Sequence, residues 1–360
     1  MTRAPTSFRI RAESFCDRFG IRVPILLAPM AGASAPELSI AVANAGGLGA
    51  CGALLMQPPG ILEWAATVRA ASSDRFQLNL WIPDPPPHRD REHESHVRAF
   101  LASWGPLVPP EAGDATPPDF DAQLEALLEA RPPVVSSVMG RFPLEFVSRA
   151  KARGIAWFAI VSTLAEAKIV ADAGADAIVV QGAEAGGHRA AFDAERAEHE
   201  LVGLFSLLPA VVDAVDVPVI ATGGIADARG VAAAFALGAS AVQIGTGFLR
   251  CPEAKINPAW ADALRTMTPE RAVISRVFSG RPGRSVATAY VRAATAEDAP
   301  APAPYPVQRG LTAAMRAAAS RSGDIERMQA WAGQSAALAQ DVPAGELVRS
   351  FWEQAQEMLV

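Results

Sequence analysis

Short, continuously apolar segments recur along the first 250 residues and alternate with stretches whose apolar residues fall three or four positions apart. A continuous apolar run of this length predicts a buried strand, and the wider spacing predicts an amphipathic helix. The predicted strands span residues 23–27, 46–52, 76–82, 134–138, 155–161, 175–180, 217–221 and 239–244. Eight strands alternating with helices predict a (β/α)8 TIM barrel, with an open doubly wound sheet as the alternative.

Two regions depart from this alternation. Residues 83–118 form a Pro-rich excursion around a charged helical segment, which is either a surface feature or a partial lid over the site. From residue 251 onward, short predicted helices are joined by Pro- and Gly-rich loops. We expect residues 251–340 to form a small, mostly helical domain near the barrel mouth, and residues 1–250 plus 341–360 to form the barrel. The last helix, 344–359, carries an apolar stripe that predicts docking on either unit.

Charge and cysteine content exclude several kinds of partner. The formal net charge is -6 and the pI is about 5.5, which argues against a nucleic-acid surface. No apolar stretch is long enough to span a membrane, and the three cysteines have no metal-ligand spacing. Residues 1–20 have no apolar core of a signal peptide, so we expect a cytoplasmic protein that acts on a small molecule. The sequence does not indicate an oligomeric state or a metal.

Glycines cluster at the ends of the last two predicted strands. One loop reads Thr222-Gly223-Gly224-Ile225, and the other reads Gln243-Ile244-Gly245-Thr246-Gly247. Barrels commonly bind a phosphate between these two loops, on glycine N–H groups and a helix N-terminus. Two tight turns that need glycine are the structural alternative. A phosphate site here indicates a phosphorylated substrate or a phosphate-bearing cofactor such as FMN.

The loop after the first strand and two amides on other strands suit a flat ring. Ala28, Pro29 and Met30 offer backbone groups and no charge, and Asn79 and Gln181 can bond to a ring edge. Together with the phosphate loops, they suggest a bound flavin mononucleotide. A buried amide can instead satisfy backbone groups.

One histidine lies where α/β proteins place their chemistry. His188 follows the strand at 175–180 through a turn that contains Gly186 and Gly187, and these glycines allow close approach to a ligand. An imidazole titrates near neutral pH, so His188 is a candidate base. A loop histidine without a catalytic role is the alternative.

The chain resembles the nitronate monooxygenase family, formerly called 2-nitropropane dioxygenases, and within it the bacterial nitronate-oxidising branch. The motifs that carry the resemblance are APMAG at 28–32, NAGGLGACGA at 44–53, QGAEAGGHR at 181–189, the glycine-rich segment 218–246, GRPGR at 280–284, YPVQRGLT at 305–312 and WAGQ at 331–334.

The resemblance implies FMN as the cofactor and His188 as a base or as a hydrogen-bond partner of the nitronate. It implies that FMN is held by Ala28, Pro29, Met30, Asn79, Gln181, Gly186, Gly187, Gly223, Gly224, Gln243, Ile244, Gly245 and Thr246. Ser137, Met139 and Tyr305 are candidates for the substrate side. The segment 136–140 departs from the family, in which we expect bulkier aromatic residues.

The implied reaction is oxidation of alkyl nitronates by O2 to a carbonyl compound and nitrite. The first alternative is an FMN-dependent reductase of enoyl thioesters or quinones that uses NADH or NADPH. A more distant alternative is a flavin-free barrel that acts as a lyase or isomerase on a sugar phosphate, because fold alone does not separate these functions.

Overall fold

A computed structural model describes residues 7–33 and 35–360. The first six residues of the segment judged not to be a signal peptide lie outside the described part. The strands are β1 (Ile25–Leu27), β2 (Gly49–Gly52), β3 (Phe76–Trp81), β4 (Val134–Val138), β5 (Ala156–Val161), β6 (Ala177–Gln181), β7 (Gly187–His188), β8 (Val219–Thr222), β9 (Ala241–Ile244), β10 (Ala272–Ser275) and β11 (Gly283–Val286).

Eight of these strands form one parallel sheet in the order β1-β9-β8-β6-β5-β4-β3-β2. A parallel bridge between Leu26 and Leu48 joins its two edges. The sheet is therefore a nearly closed barrel, which confirms the predicted (β/α)8 fold.

Helices follow the strands around the outside of the barrel. They are α1 (Phe8–Phe19), α2 (Pro36–Asn44), α3 (Pro58–Ala71), α4 (Arg91–Leu101), α5 (Phe120–Ala130), α6 (Leu144–Lys151), α7 (Leu164–Asp172), α8 (Leu204–Val212), α9 (Ala228–Ala236), α10 (Pro258–Arg265), α11 (Ala289–Ala294), α12 (Val307–Leu311), α13 (Ala313–Ser322) and α14 (Ala344–Met358). No helix in the described part of the chain is long and apolar enough to cross a membrane.

Helix α1 packs into the apolar cluster that contains inward-facing strand residues. Phe15 and Phe19 are buried beside Phe158 of β5, and the rings of Phe19 and Phe158 meet edge to face with centroids 4.8 Å apart. The same cluster contains Leu26 of β1 and Ile220 of β8. Aromatic packing of this kind fills the barrel interior below its mouth.

The last helix docks on the barrel, as its apolar stripe predicts. Leu347, Val348 and Phe351 of α14 are buried, and Trp352 packs against Phe235 of α9 with ring centroids 5.1 Å apart. Met358, the last residue of the predicted stripe, is exposed.

The small domain is mostly helical but also contains a three-stranded antiparallel sheet that the sequence analysis did not predict. Its order is β10-β11-β7, and the third strand, β7, comes from the barrel loop that carries His188. A two-residue strand leaves no periodic signal, and the GRPGR motif at the start of β11 reads as a turn. The sheet joins the small domain directly to the loop of interest.

The Pro-rich excursion packs on the same unit. Val97, Leu101 and Val108 are buried in an apolar cluster with Val277 and Leu311, which lie beyond residue 251. Asp90 caps α4, as its carboxylate accepts hydrogen bonds from two N–H groups of the first turn. Residues 97–108 thus share a core with the small domain, and the boundary at residue 251 stays a prediction.

Candidate active site

A cavity of about 380 Å³ opens at the carboxyl ends of the barrel strands and has walls from both the barrel and the small domain. In a (β/α)8 barrel this is the end at which chemistry takes place. The predicted site residues that line it are Ala28, Pro29, Met30, Asn79, Met139, Gln181, Gly186, Gly187, His188, Gly223, Gly224, Gln243, Gly245, Thr246 and Tyr305.

Two residues named from the sequence are not part of this lining. Ile244 is 1% exposed and packs in the core between the sheet and the helices. The Ser137 hydroxyl donates to the Gly140 carbonyl at 3.0 Å and accepts from the indole N–H of Trp157 at 3.0 Å. Ser137 therefore holds the turn after β4, in which Met139 adopts a φ of 65° and lines the cavity.

The two glycine loops present unused backbone donors. The N–H groups of Gly223, Gly224, Gly245 and Thr246 have no acceptor among the described residues. Gly223 and Gly224 have φ values of 107° and 70°, which side-chain-bearing residues rarely adopt. Because buried N–H groups are nearly always paired, this set indicates a place for an anion.

The helix that follows the first glycine loop does not offer its N-terminus to a phosphate, contrary to the prediction. Asp227 caps α9, and its carboxylate accepts from the N–H groups of Arg229 and Gly230 at 3.0 Å and 3.2 Å. A carboxylate already occupies that end of the helix, so the glycine loops alone form the anion cradle.

The small domain closes the open side of this cradle. The Gly333 N–H donates to Thr246 Oγ1 at 3.0 Å, and Ser335 Oγ donates to the Gly224 carbonyl at 2.6 Å. Gly186 lies so close that a Cβ there would be 2.4 Å from the Gly333 nitrogen. The sequence analysis found the WAGQ motif but did not place residues 333 and 335 at the site.

Two of the predicted ring-binding amides are largely used within the protein. Asn79 Nδ2 donates to the carbonyl and to the hydroxyl of Ser136, at 3.1 Å and 3.0 Å. Gln181 donates to the His188 carbonyl at 3.1 Å and accepts from the Ala190 N–H at 2.9 Å. Gln181 therefore satisfies backbone groups and positions the segment that carries His188.

Gln243 is held by a neighbour that the sequence analysis missed. Its side-chain oxygen accepts from Gln77 Nε2 at 3.0 Å, and Gln77 also donates to the Leu27 carbonyl at 3.2 Å. Gln77 has no exposed surface. It ties β3 to β1 beneath the cavity and fixes the face that Gln243 presents.

His188 lies between two tryptophans. Its ring centroid is 4.6 Å from Trp81 and 4.7 Å from Trp331, and its Nε2 is 2.7 Å from Ser279 Oγ. Burial, and then the charges of Arg281 and two further arginines, lower the pKa of His188 to about 3. The imidazole is therefore neutral across the physiological range.

Two arginines of the small domain line the cavity and have no carboxylate partner there. Arg316 donates to Thr312, Gln329 and the Arg309 carbonyl, all neutral groups. The Arg309 guanidinium has no hydrogen bond or ion pair among the described residues, and the lining contains no Asp or Glu. Burial and the neighbouring Arg309 lower the pKa of Arg316 to about 10, so both remain cationic at neutral pH.

Tyr305 also faces this part of the cavity. Its hydroxyl is buried without a hydrogen-bond partner in the described chain, and its ring lies 5.6 Å from Trp81. Among the described residues, no cluster of His, Cys, Asp and Glu could hold a metal ion. The cavity thus joins an anion cradle, a neutral imidazole and two cations.

A (β/α)8 barrel with a backbone anion cradle and a polar cavity at its mouth is the architecture of a barrel enzyme. The family model for nitronate monooxygenase matches residues 13–354. The nitronate monooxygenase of Paraburkholderia phytofirmans is 39% identical over 341 residues, which cover 91% of this chain and 91% of that protein. The chain belongs to the nitronate monooxygenase family.

Solved structures agree with this assignment. A nitroalkane oxidase from Streptomyces ansochromogenes has a TM-score of 0.87 at 35% identity, covering 96% of this chain and 100% of that one. FabK from Thermotoga maritima has a TM-score of 0.74 at 28% identity, covering 96% of each chain. The protein is therefore an oxidoreductase of the nitronate monooxygenase type, a family of FMN-dependent enzymes.

Proposed function

We propose that this protein binds FMN and oxidises alkyl nitronates with O2 to a carbonyl compound and nitrite. The observation that carries the proposal is the charge of the cavity lining. Arg309 and Arg316 supply two cations and no carboxylate opposes them, so the cavity favours an anion. A nitronate is such an anion, whereas the parent nitroalkane is neutral.

The residues present fit FMN. The unpaired N–H groups of Gly223, Gly224, Gly245 and Thr246 suit its phosphate, and the uncharged wall formed by residues 28–30 suits its ring. When bound, FMN supplies the electron-transfer chemistry, and the protein supplies orientation and electrostatics. We propose that the remaining predicted residues on the lining contact the cofactor from the barrel side.

His188 fits the role of a hydrogen-bond partner to the nitronate better than that of a base. A nitronate has already lost its α-proton, so its oxidation needs no strong base. An imidazole with a pKa near 3 accepts protons weakly but still offers a hydrogen bond from a fixed ring. Tyr305, Met139 and the two arginines would then surround the rest of the substrate.

The test compares an anion with its neutral parent. Nitrite release and O2 uptake are measured with freshly prepared ethyl nitronate and with nitroethane at equal concentration. We expect turnover of the nitronate, and at least about 100-fold slower turnover of nitroethane, since removing its proton would need a base. Equal rates would assign His188 to proton removal, and absence of nitrite from both would refute the proposed reaction.

The cofactor has its own measurement. We expect heat-denatured protein to release one flavin that co-elutes with FMN and not with FAD. A protein that stays colourless after incubation with FMN would contradict the cofactor assignment and would restore the sugar-phosphate alternative.

The likeness to FabK keeps one second candidate open, an FMN-dependent reductase of enoyl thioesters or quinones. Rapid anaerobic bleaching of the flavin by NADH or NADPH, together with no reaction toward nitronate, would support it. The cytoplasmic location stays a prediction from composition.

A further inference from the structure

We propose that Arg281 and Ser279 are positioning residues for His188, and that the ion pair of Arg281 with Asp84 anchors them. The proposal rests on the role proposed for His188, but its own test does not use turnover. The two residues lie in the connection between β10 and β11, and β11 pairs with the strand that carries His188.

Arg281 joins three separate segments. Its Nη1 lies 3.1 Å from Asp84 Oδ1, at the start of the Pro-rich excursion, and its Nη2 donates to the Ala191 carbonyl at 2.9 Å. The Arg281 side chain is 2% exposed. A buried guanidinium with partners on two segments fixes both, because loss of either contact leaves a buried charge or carbonyl unpaired.

Ser279 connects this anchor to the imidazole. Its hydroxyl lies 2.7 Å from His188 Nε2 and accepts from the Arg281 N–H at 3.3 Å. The Arg189 N–H, next along the chain from His188, donates to the Pro282 carbonyl at 2.9 Å. One short segment, 279–282, therefore holds both the ring and the backbone at His188. The hydrogen bond to one ring nitrogen decides which tautomer is present.

Arg281 also contributes charge. The charged groups that act on the imidazole are Arg281, Arg309 of α12 and Arg316 of α13, while Tyr305 and Asp84 are the other titratable groups nearby. Arg281 is the largest charged influence that lowers the pKa of His188, after burial itself. Position and charge can therefore be separated by variants of the two residues.

The experiment is NMR of ring-labelled histidines in the FMN-loaded protein, with His188 assigned by comparison with His188→Gln. We expect the wild type to show ring 15N shifts of a single tautomer at pH 7.5. Ser279→Ala should give averaged shifts of two tautomers while the imidazole stays neutral to pH 5. Arg281→Met should give averaged shifts and raise the pKa of His188 by about one unit or more.

Two further variants refine the test. Arg281→Lys keeps the charge, so the pKa of His188 should stay low. Asp84→Asn should release Arg281, average the tautomers and produce no rise in that pKa. Arg284→Met is the matched control, since Arg284 is equally buried in the same motif but donates to the Ala183 and Ala272 carbonyls.

The outcomes are distinct. The inference is overturned if Ser279→Ala and Arg281→Met both keep one tautomer, or if Arg284→Met averages the shifts as strongly as Arg281→Met does. With nitronate, the turnover number of Arg281→Met should fall roughly 10- to 100-fold, as expected for a displaced reactive group. A wild type that shows the expected shifts but does not turn over nitronate would refute the proposed function and leave the positioning role intact.

Discussion

Gly186→Ala is the substitution with the tightest geometric consequence. A methyl group at this position would lie 2.4 Å from the Gly333 nitrogen and 2.6 Å from the Ala332 carbonyl carbon. Both are backbone atoms and cannot rotate away. Since non-bonded contacts settle near 3.5 Å, the 332–333 segment must move by about 1 Å.

That movement reaches the anion cradle. It breaks the 3.0 Å hydrogen bond from the Gly333 N–H to Thr246 Oγ1. We expect the variant to lose about 1–3 kcal/mol of unfolding free energy, the usual cost of overpacking. If the loop closes over the FMN phosphate, the dissociation constant for FMN should rise at least about fivefold, the equivalent of 1 kcal/mol.

Urea denaturation measures the stability, and quenching of flavin fluorescence measures FMN affinity. Gly154→Ala is the control, because Gly154 has a φ of 73° and no heavy atom near its added Cβ. It should cost about 1–2 kcal/mol of backbone strain and leave FMN affinity unchanged. Unchanged stability and affinity in Gly186→Ala would refute the reasoning. So would an equal loss of affinity in Gly154→Ala.

Four more predictions follow from the charges at the site. Arg309→Met should raise the KM for ethyl nitronate at least about tenfold and change kcat less; a fall confined to kcat would contradict this. His188→Ala should lower kcat/KM about 10²–10⁴-fold, and retained turnover would remove His188 from the reaction. Because the pKa of His188 is about 3, kcat/KM should be flat from pH 5 to 7.5, and an acid limb centred near 6.5 would be inconsistent. Below pH 6.5 the unfolded imidazole binds a proton that the folded one does not, so stability should fall with pH by up to about 1.4 kcal/mol per unit, and less in His188→Gln.

The barrel could be predicted from the sequence because its strands are buried on both faces. Ile25 and Leu27 belong to the cluster under the helices, while Leu26 between them belongs to the interior cluster. Burial on both sides produces continuous apolar runs, which mark strands without any alternation. Boundaries were less certain. The second strand begins at Gly49 and not at residue 46, because Gly46 turns the chain with a φ of 104°.

The two halves of the site differ in how far sequence could reach them. Backbone donors need glycine at particular turns, so Gly223 and Gly245 could be found directly. The arginines could not, since a sequence does not show which cations lack a partner. Arg89 pairs with Glu94 at 2.6 Å, while Arg309 has no such partner among the described residues. Only the folded small domain distinguishes the two.

The small domain is therefore part of the site and not an attachment to it. His188 sits on a segment that starts with two glycines, which favour disorder in the unfolded chain and need outside contacts to become fixed. Those contacts are backbone pairing with β11, the hydrogen bonds of Gln181, and the 279–282 segment anchored by Arg281. Only Gln181 belongs to the barrel itself. The barrel thus supplies the cradle, while the position and the neutral state of the imidazole depend on residues that come later in the chain.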